Sequence, residues 1–336
     1  MKKILALMIA AILTVCCFAG CSSANENKTV SQTDSKTEDT SKLRIVTTIF
    51  PEYDWVREIL GDKIDHAELT LLLDNGVDLH NYQPTADDIM KISSCDMFIY
   101  VGGESDEWVD DALQEATNKD MVVIDLLDVL GDSVKEEEVK EGMQGEDEED
   151  EEEGEEEIEY DEHVWLSLKN AKTLCSKISH ELCNIDSENS DTYKDNVKAY
   201  NEKLDQLDSE YQSMIDSAKT KTLIFGDRFP FRYLVDDYRL DYFAAFVGCS
   251  AETEASFETI IFLANKVDEL DAGTIFTIEN SDKKIAETIK SNTQSKNQNI
   301  AELNSLQSVT SEQVNNGTTY MSIMQNNYNV LKEAIG

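Results

Sequence analysis

Residues 191–217, DTYKDNVKAYNEKLDQLDSEYQSMIDS, form the most regularly periodic segment of the chain. They include no glycine or proline, and apolar residues recur at alternating steps of four and three: Tyr193, Val197, Tyr200, Leu204, Leu207, Tyr211 and Met214. This spacing places them on one face of an α-helix. Such a helix would be on the order of 35–40 Å long, enough to run the length of two stacked domains. A coiled-coil dimer is the competing interpretation, although about three heptads is short for one.

Short apolar runs typical of β-strands occur on both sides of this segment. They lie at residues 43–50, 69–73, 96–101 and 121–125 before it, and at residues 222–225, 274–278 and 299–303 after it. Helical patterns alternate with these runs, which favours parallel sheets covered by helices. We therefore predict an α/β fold with two units, residues 43–190 and residues 218–336, on either side of a connecting helix over residues 191–217.

The N-terminal sequence MKKILALMIAAILTVCCFAGC has the pattern of a secretory signal peptide, with two lysines before an apolar run. The run is short for a membrane span, which needs about 20 residues. Because small residues precede Cys21, as in a bacterial lipobox, we predict that residues 1–20 are removed and that Cys21 is lipidated. Cleavage without a lipid and an uncleaved anchor are the alternatives.

Residues 21–42 are polar and nearly free of apolar side chains. Such a segment cannot bury enough surface to fold, so we predict a disordered tether. It would hold the remaining chain, about 290 residues, away from a membrane, and that length suggests two domains.

The chain carries a net charge of −40, from 69 acidic and 29 basic residues. Nucleic-acid binding requires a basic surface, so this balance excludes it as the expected function. Cations are the favoured partners, although a strongly acidic protein can simply be soluble.

The cysteines give little information about function. Apart from those in the signal peptide and Cys21, the chain has Cys95, Cys175, Cys183 and Cys249. None has CxxC-type spacing, so the sequence gives no support for a zinc site made of thiolates. Exported chains can form disulfides, but we expect buried free thiols here.

Residues 136–162, EEEVKEGMQGEDEEDEEEGEEEIEYDE, form a dense acidic run. Like charges at this density repel one another, which predicts an exposed, disordered loop over residues 136–160. The run is either a solvating insertion or a weak collector of cations. It has no histidine or cysteine, so any capture of metal by it would be poorly selective.

Of the four histidines, His80 and His163 lie in settings that favour metal binding. His80 follows the predicted strand at 69–73, and the carboxyl ends of parallel strands are where α/β folds present ligands. His163 ends the acidic run, where carboxylates can orient its ring. Each alone would more often be a surface histidine. His66, near a turn, and His180, within a helix, are not predicted as ligands.

The residues around the two histidines form recognisable motifs. They are Asp78-Leu-His80-Asn-Tyr82-Gln-Pro84-Thr-Ala-Asp87 and Asp161-Glu-His163-Val-Trp165-Leu-Ser-Leu-Lys-Asn170-Ala171. Phe231, Tyr233 and Tyr238, residues 250–256 and residues 319–327 extend the match. From about Leu43 to the C-terminus, the chain resembles the zinc/manganese-binding lipoprotein family, the solute-binding component of metal ABC importers.

The resemblance implies two lobes, each a parallel β-sheet flanked by helices, joined by a long rigid α-helix, with the metal site in the cleft. It implies a monomer that is no enzyme, is anchored to the extracytoplasmic face of the cell membrane through Cys21, and delivers zinc, or next manganese, to an ABC permease. Members often carry a charged, commonly histidine-rich loop before the second histidine motif, and the acidic run occupies that place.

The chain departs from the family at two ligand positions. The third ligand, usually His or Glu three residues before Phe231, falls on Arg228, and a guanidinium has no acceptor with which to bind a metal. The late carboxylate falls on Asn304. The expected replacements are the carboxylates that remain near these positions, in the order Glu254, Asp227 and Glu279. Arg228 would instead pair with Glu254 or Asp227.

Metal capture through His80, His163, Glu254 and Asp227 is therefore the predicted function. One alternative is an exported metallohydrolase, which would need an open coordination position and a general base, and no HExxH motif is present. The other is an adhesion or scaffold lipoprotein, or a binder of chelated metal, in which the histidines would be incidental.

Overall fold

The computed structural model describes residues 42–144, 159–250 and 254–336. The predicted signal peptide, Cys21 and all but the last residue of the tether lie outside the described residues, as does the centre of the acidic run. Lys42–Gly336 pack as one compact unit. Among the described residues, no helix combines the length and apolar character that crossing a bilayer requires.

The first half of this unit is a parallel four-stranded sheet with helices between its strands. Its elements are β1 (Leu43–Thr47), α1 (Phe50–Leu60), β2 (Ala67–Leu71), α2 (Ala86–Ser94), β3 (Met97–Tyr100), α3 (Trp108–Gln114), β4 (Val122–Asp125), α4 (Leu126–Leu130) and α5 (Leu168–Ile185). The strand order is β2-β1-β3-β4. The central strands are buried on both faces, which accounts for their unbroken apolar runs.

The second half repeats this architecture after a long helix, α6 (Ser190–Asp216). Its elements are β5 (Thr222–Phe229), α7 (Arg232–Tyr238), β6 (Asp241–Val247), α8 (Phe257–Glu269), β7 (Thr274–Thr277), α9 (Lys284–Asn292), β8 (Asn299–Glu302), α10 (Ser311–Asn315) and α11 (Tyr320–Ile335). The parallel strands have the order β6-β5-β7-β8. The predicted fold class is confirmed.

Two local predictions need correction. The first strand ends at Thr47 instead of Phe50, because Pro51 lies in the first turn of α1, where a missing backbone N–H is tolerated. The ends of the acidic run are ordered: Glu136 pairs with Tyr160 in an antiparallel bridge, and the backbone N–H of Glu137 donates to the carbonyl of Glu159. Residues 145–158 lie outside the described residues.

The apolar face of α6 packs against both halves of the chain. It contacts α1 and α5 of the first half and α7 and α11 of the second. Asn196 donates its side-chain amide to the carbonyl of Ile59, and the hydroxyl of Tyr211 donates to the carbonyl of Met324. This burial within the chain accounts for the periodicity of residues 191–217 without a coiled-coil partner.

The packing of α6 predicts a large cost for shortening one of its core side chains. Leu204 is completely buried, so Leu204→Ala leaves a cavity and should lower the free energy of unfolding by about 2–5 kcal/mol. Denaturant unfolding followed by circular dichroism measures the change. The matched control is Glu202→Ala on the exposed face of the same helix. Equal effects of the two substitutions would contradict this account of the core.

Candidate metal centre

His80 lies in the loop between β2 and α2, in a short 3-10 turn over Leu79–Asn81. Leu79 is fully buried and anchors the turn, and the carboxylate of Asp78 accepts a hydrogen bond from the backbone N–H of His80. The Nδ1 atom of His80 lies 2.8 Å from the hydroxyl of Ser105 and 3.4 Å from a carboxylate oxygen of Glu162. These partners orient the ring so that Nε2 points away from them.

His163 lies between the acidic run and α5 and is completely buried. One carboxylate oxygen of Asp161 lies 2.9 Å from its backbone nitrogen and 3.0 Å from its Nδ1. A carboxylate can only accept, so Nδ1 carries the ring proton and Nε2 keeps its lone pair. Tyr233 donates its hydroxyl to the carbonyl of Asp161 and thereby connects α7 to this support.

The Nε2 atoms of His80 and His163 lie 3.2 Å apart. Two nitrogens bound to one tetrahedral zinc ion, at about 2.0–2.1 Å each, would lie about 3.3–3.4 Å apart. Burial, followed by repulsion from His163, lowers the pKa of His80 to about 3. The ring is therefore neutral at ordinary pH, which is the form that binds metals.

Cys249 lies beside His80 and His163 and forms with them a group of three side chains that could hold a metal ion. One ligand atom from each of His80, His163 and Cys249 lies within 4.8 Å of the other two. Cys249 follows β6 after Gly248, where an added Cβ would lie 3.0 Å from the ring of His163, so glycine permits this close approach. Cys249 was not predicted as a ligand, because it has no second cysteine at CxxC-type spacing. The usable signal is its position just after a strand.

Buried polar groups surround the three residues. Burial raises the pKa of the thiol of Cys249, and the neighbouring carboxylates of Asp161 and Glu137 raise it further. Burial also raises the pKa of Glu162, which accepts a hydrogen bond from the backbone N–H of Ser105. Negative charge in these surroundings favours a cation at the centre.

Gln307 is the buried neutral side chain beside the histidine pair. Its amide nitrogen lies 3.4 Å from Nε2 of His80. Its amide oxygen is buried and has no hydrogen-bond partner among the described residues. An unsatisfied buried acceptor is costly, so the oxygen of this amide would gain from contact with a cation.

A cavity of about 310 Å³ opens beside this group. Its lining combines two members of the group with a hydroxyl, an exposed tyrosine and four carboxylates: His80, Glu104, Ser105, Glu137, Glu159, Tyr160, Glu162 and Cys249. Four of these residues, Glu137, Glu159, Tyr160 and Glu162, belong to the ordered ends of the acidic run. The acidic run therefore begins and ends at the cavity.

Arg228 pairs with Asp78, which corrects the predicted pairing with Glu254 or Asp227. Its guanidinium lies 2.5 Å from the carboxylate of Asp78 and donates to the carbonyl of Ser250 at 3.3 Å. Burial opposes the charge on Asp78, but Arg228 and then His80 outweigh it, so the pKa of Asp78 lies below its usual value. The loop of Asp78 reaches the carboxyl end of β5, which brings this pair together.

The predicted carboxylate ligands lie outside the group of His80, His163 and Cys249 in the described structure. Glu254 is exposed. Asp227 accepts hydrogen bonds from the backbone N–H groups of Arg228 and Ile278, and Glu279 accepts from the backbone and hydroxyl of Ser305. A role for these carboxylates in binding metal stays a prediction.

Within the part of the chain that the structure describes, Asn304, His66 and His180 also lie outside the group of His80, His163 and Cys249. The side-chain oxygen of Asn304 accepts from the backbone N–H of Leu306. His66 and His180 are exposed.

The sequence model of the family described as zinc-uptake complex component A, periplasmic (ZnuA), matches residues 45–334. The zinc-binding lipoprotein AdcA of Streptococcus pneumoniae (strain ATCC BAA-255 / R6) is 31% identical over 296 residues, which cover 87% of this chain and 56% of the relative. The chain thus spans about half the length of this relative. The high-affinity zinc uptake system protein ZnuA of Bacillus subtilis (strain 168) is 29% identical over 322 residues, which cover 95% of this chain and 95% of the relative.

Solved structures with the same fold include one protein from each of these two bacteria. The Zn(II)-bound ZnuA-like domain of Streptococcus pneumoniae AdcA superposes with a TM-score of 0.68 at 28% identity, covering 88% of this chain and 99% of the other. The metal-dependent lipoprotein YcdH of Bacillus subtilis superposes with a TM-score of 0.70 at 26% identity, with the same coverage.

The loop that carries Ser105 contains a buried carboxyl group, Asp106, which predicts a pH dependence of stability. Its Oδ2 accepts from the backbone N–H groups of Val101 and Gly102. Burial, with a smaller contribution from Glu162, raises the pKa of Asp106 to about 7. From about pH 4 to pH 7 the folded protein therefore holds a proton that the unfolded chain has lost, and stability falls as pH rises.

Asp106→Asn keeps a neutral acceptor at this position and should remove that slope. Relative to the unsubstituted protein, the variant should gain up to about 1.4 kcal/mol per pH unit in free energy of unfolding as pH rises from 5 to 7. Denaturant unfolding at several pH values measures this difference, with the exposed Asp110→Asn as control. Parallel pH profiles for the Asp106 variant and the unsubstituted protein would contradict the assignment.

Proposed function

The chain belongs to the zinc-uptake complex component A family, and we propose that it binds zinc through His80 and His163 and delivers it to an ABC permease in the membrane. The family resemblance predicted from the two histidine motifs is confirmed. The family is one of solute-binding proteins for metal transport, which favours binding over catalysis and argues against the metallohydrolase alternative.

The separation of 3.2 Å between the two Nε2 atoms is the observation that supports this proposal best. Both rings are held from their Nδ1 sides, His80 by Ser105 and His163 by Asp161. Asp161 fixes the ring proton of His163 on Nδ1, so Nε2 of His163 presents a lone pair towards Nε2 of His80 in a buried setting. With His80 in the same tautomer, a shared cation would take both lone pairs. Supports of this kind also fix the rotamers before the metal arrives, so little entropy is lost on binding.

Zinc is the favoured cargo, with manganese as the second candidate. Neutral imidazoles suit zinc, whereas manganese prefers a set with more oxygen ligands. The relatives named above are zinc-binding or zinc-uptake proteins, and one of them was solved with Zn(II) bound. Their names support the same substrate here.

We further propose that the protein is a monomer anchored through a lipid on Cys21, on the extracytoplasmic face of the membrane. The signal-peptide pattern and the lipoprotein relatives support this location. The continuous helix α6 packs against both halves, so loading would involve tilting or local loop rearrangement instead of wide hinge opening.

Replacing both proposed ligands should abolish stoichiometric zinc binding. The double variant His80→Ala/His163→Ala loses both imidazoles, and its zinc affinity should fall by more than the roughly 10–100-fold that loss of an outer-shell partner costs. Elemental analysis and competition titration of the untagged, purified full chain measure the zinc content and affinity. In the unsubstituted protein, zinc should also raise the melting temperature by mass action.

The chain provides a matched control in its two other histidines. His66→Ala/His180→Ala removes the same number of imidazoles from exposed positions and should bind zinc as the unsubstituted protein does. Unchanged zinc binding in the His80/His163 variant would refute the proposed site. Tighter binding of manganese than zinc would overturn the proposed cargo while leaving the site intact.

Asp161 is proposed as a positioning residue that acts through His163. Asp161→Asn can keep a hydrogen bond to the ring but removes the negative charge, so zinc affinity should fall by roughly 10–100-fold without loss of binding. Competition titration measures the affinity, and the pH profile of binding distinguishes this role from a purely structural one. An affinity and pH profile identical to those of the unsubstituted protein would contradict it.

A further inference from the structure

Building on the proposed zinc binding at His80 and His163, we propose that the Sγ atom of Cys249 is a third metal ligand, which makes the site a His₂Cys centre. The ligand atoms of these three residues lie within 4.8 Å of one another. In a tetrahedral zinc site a thiolate sulfur and an imidazole nitrogen lie about 3.5 Å apart. The sulfur and the nitrogens therefore need to approach by at most about 1.3 Å to bind one ion.

The two halves of the chain supply this set together. His80 follows β2 and His163 precedes α5 in the first half, whereas Cys249 follows β6 in the second. Gly248 lets the backbone before Cys249 approach the ring of His163. The backbone N–H of Cys249 donates to a carboxylate oxygen of Glu137, at 3.4 Å. A metal held by all three residues would fasten the two halves to each other.

Arg228 positions the turn that carries Cys249. The guanidinium contacts the carboxylate of Asp78, two residues before His80, and the carbonyl of Ser250, one residue after Cys249. The side chain that cannot bind the metal thus links the two ligand loops, and the third ligand comes from the neighbouring turn. This arrangement explains how a chain with arginine at this position can keep a three-residue site.

The negative charge around the site favours a cation that all three ligands share. Zinc with two neutral imidazoles and one thiolate carries one net positive charge. The carboxylates of Asp161 and Glu162 lie beside the two histidines, and one of them suffices to balance it. A thiolate is also a soft ligand that favours zinc over manganese, so Cys249 would determine metal selectivity as well as affinity.

Cobalt(II) substitution tests this proposal directly. Co(II) bound by a thiolate has a sulfur-to-cobalt charge-transfer band in the near ultraviolet, so the full chain loaded with one equivalent of Co(II) should show it. Cys249→Ser should lose that band and lower zinc affinity by roughly 100-fold or more, beyond the loss expected for an outer-shell partner. Its preference for zinc over manganese should also shrink.

Cys183→Ser is the matched control, because Cys183 is also half-buried and its Sγ contacts the carbonyl of Ser190. This variant should keep the band and the zinc affinity. Alkylation by iodoacetamide, read by peptide mass spectrometry, gives a second measurement on the unsubstituted protein. Zinc should protect Cys249 from alkylation and leave Cys183 unprotected.

The outcomes separate this proposal from the proposed function. A Co(II) complex without a thiolate band, whose metal is lost in His80→Ala/His163→Ala, would overturn the role of Cys249 and leave the histidine site standing. Metal binding that is unaffected by the histidine double variant would overturn the proposed function itself. Both the Co(II) spectrum and the alkylation test use the unsubstituted chain, so misfolding of Cys249→Ser cannot hide the result.

Discussion

The apolar face of α6 is buried by helices from both halves of the chain. This shared packing fixes the position of the first sheet relative to the second. Helices from each half cover the face, and the hydrogen bonds of Asn196 to Ile59 and of Tyr211 to Met324 fix the helix against both. The loop after β2 and the turn after β6 then meet in one place. The site is therefore a consequence of packing that takes place elsewhere in the molecule.

At the site, the hydrogen-bond partners of Nδ1, on the outer side of each histidine ring, orient Nε2 on the inner side. Asp161 and Ser105 hold the Nδ1 atoms of His163 and His80, and burial keeps His80 neutral through its low pKa. Nε2 of His163 then carries a lone pair on the inner side, and the carboxylates of Asp161 and Glu162 supply negative charge on the outer side. A divalent cation satisfies both conditions at once, whereas water or a proton would satisfy only part of them.

The sequence predicted the features that local patterns determine: the parallel strands, the periodic face of α6, and the histidine pair. It misplaced the end of β1 because Pro51 is compatible with both a strand end and a helix start. Cys249 and the pairing of Arg228 with Asp78 depend on contacts between residues about 150 positions apart, as in the Asp78–Arg228 hydrogen bond, and no local pattern encodes these. The ordered ends of the acidic run likewise depend on pairing across the gap, between Glu136 and Tyr160.

That pairing makes a closed neck at the base of the acidic run. The bridge of Glu136 with Tyr160, the hydrogen bond of Glu137 to Glu159, and the backbone contact of Asp161 with Lys135 join the two sides before the chain reaches His163. Residues just beyond the neck remain coupled to the second half, because Gln144 pairs with Phe246 of β6 and accepts a hydrogen bond from the backbone N–H of Ser256. The acidic run thus joins the segment that leads to His163 to the strand that leads to Cys249.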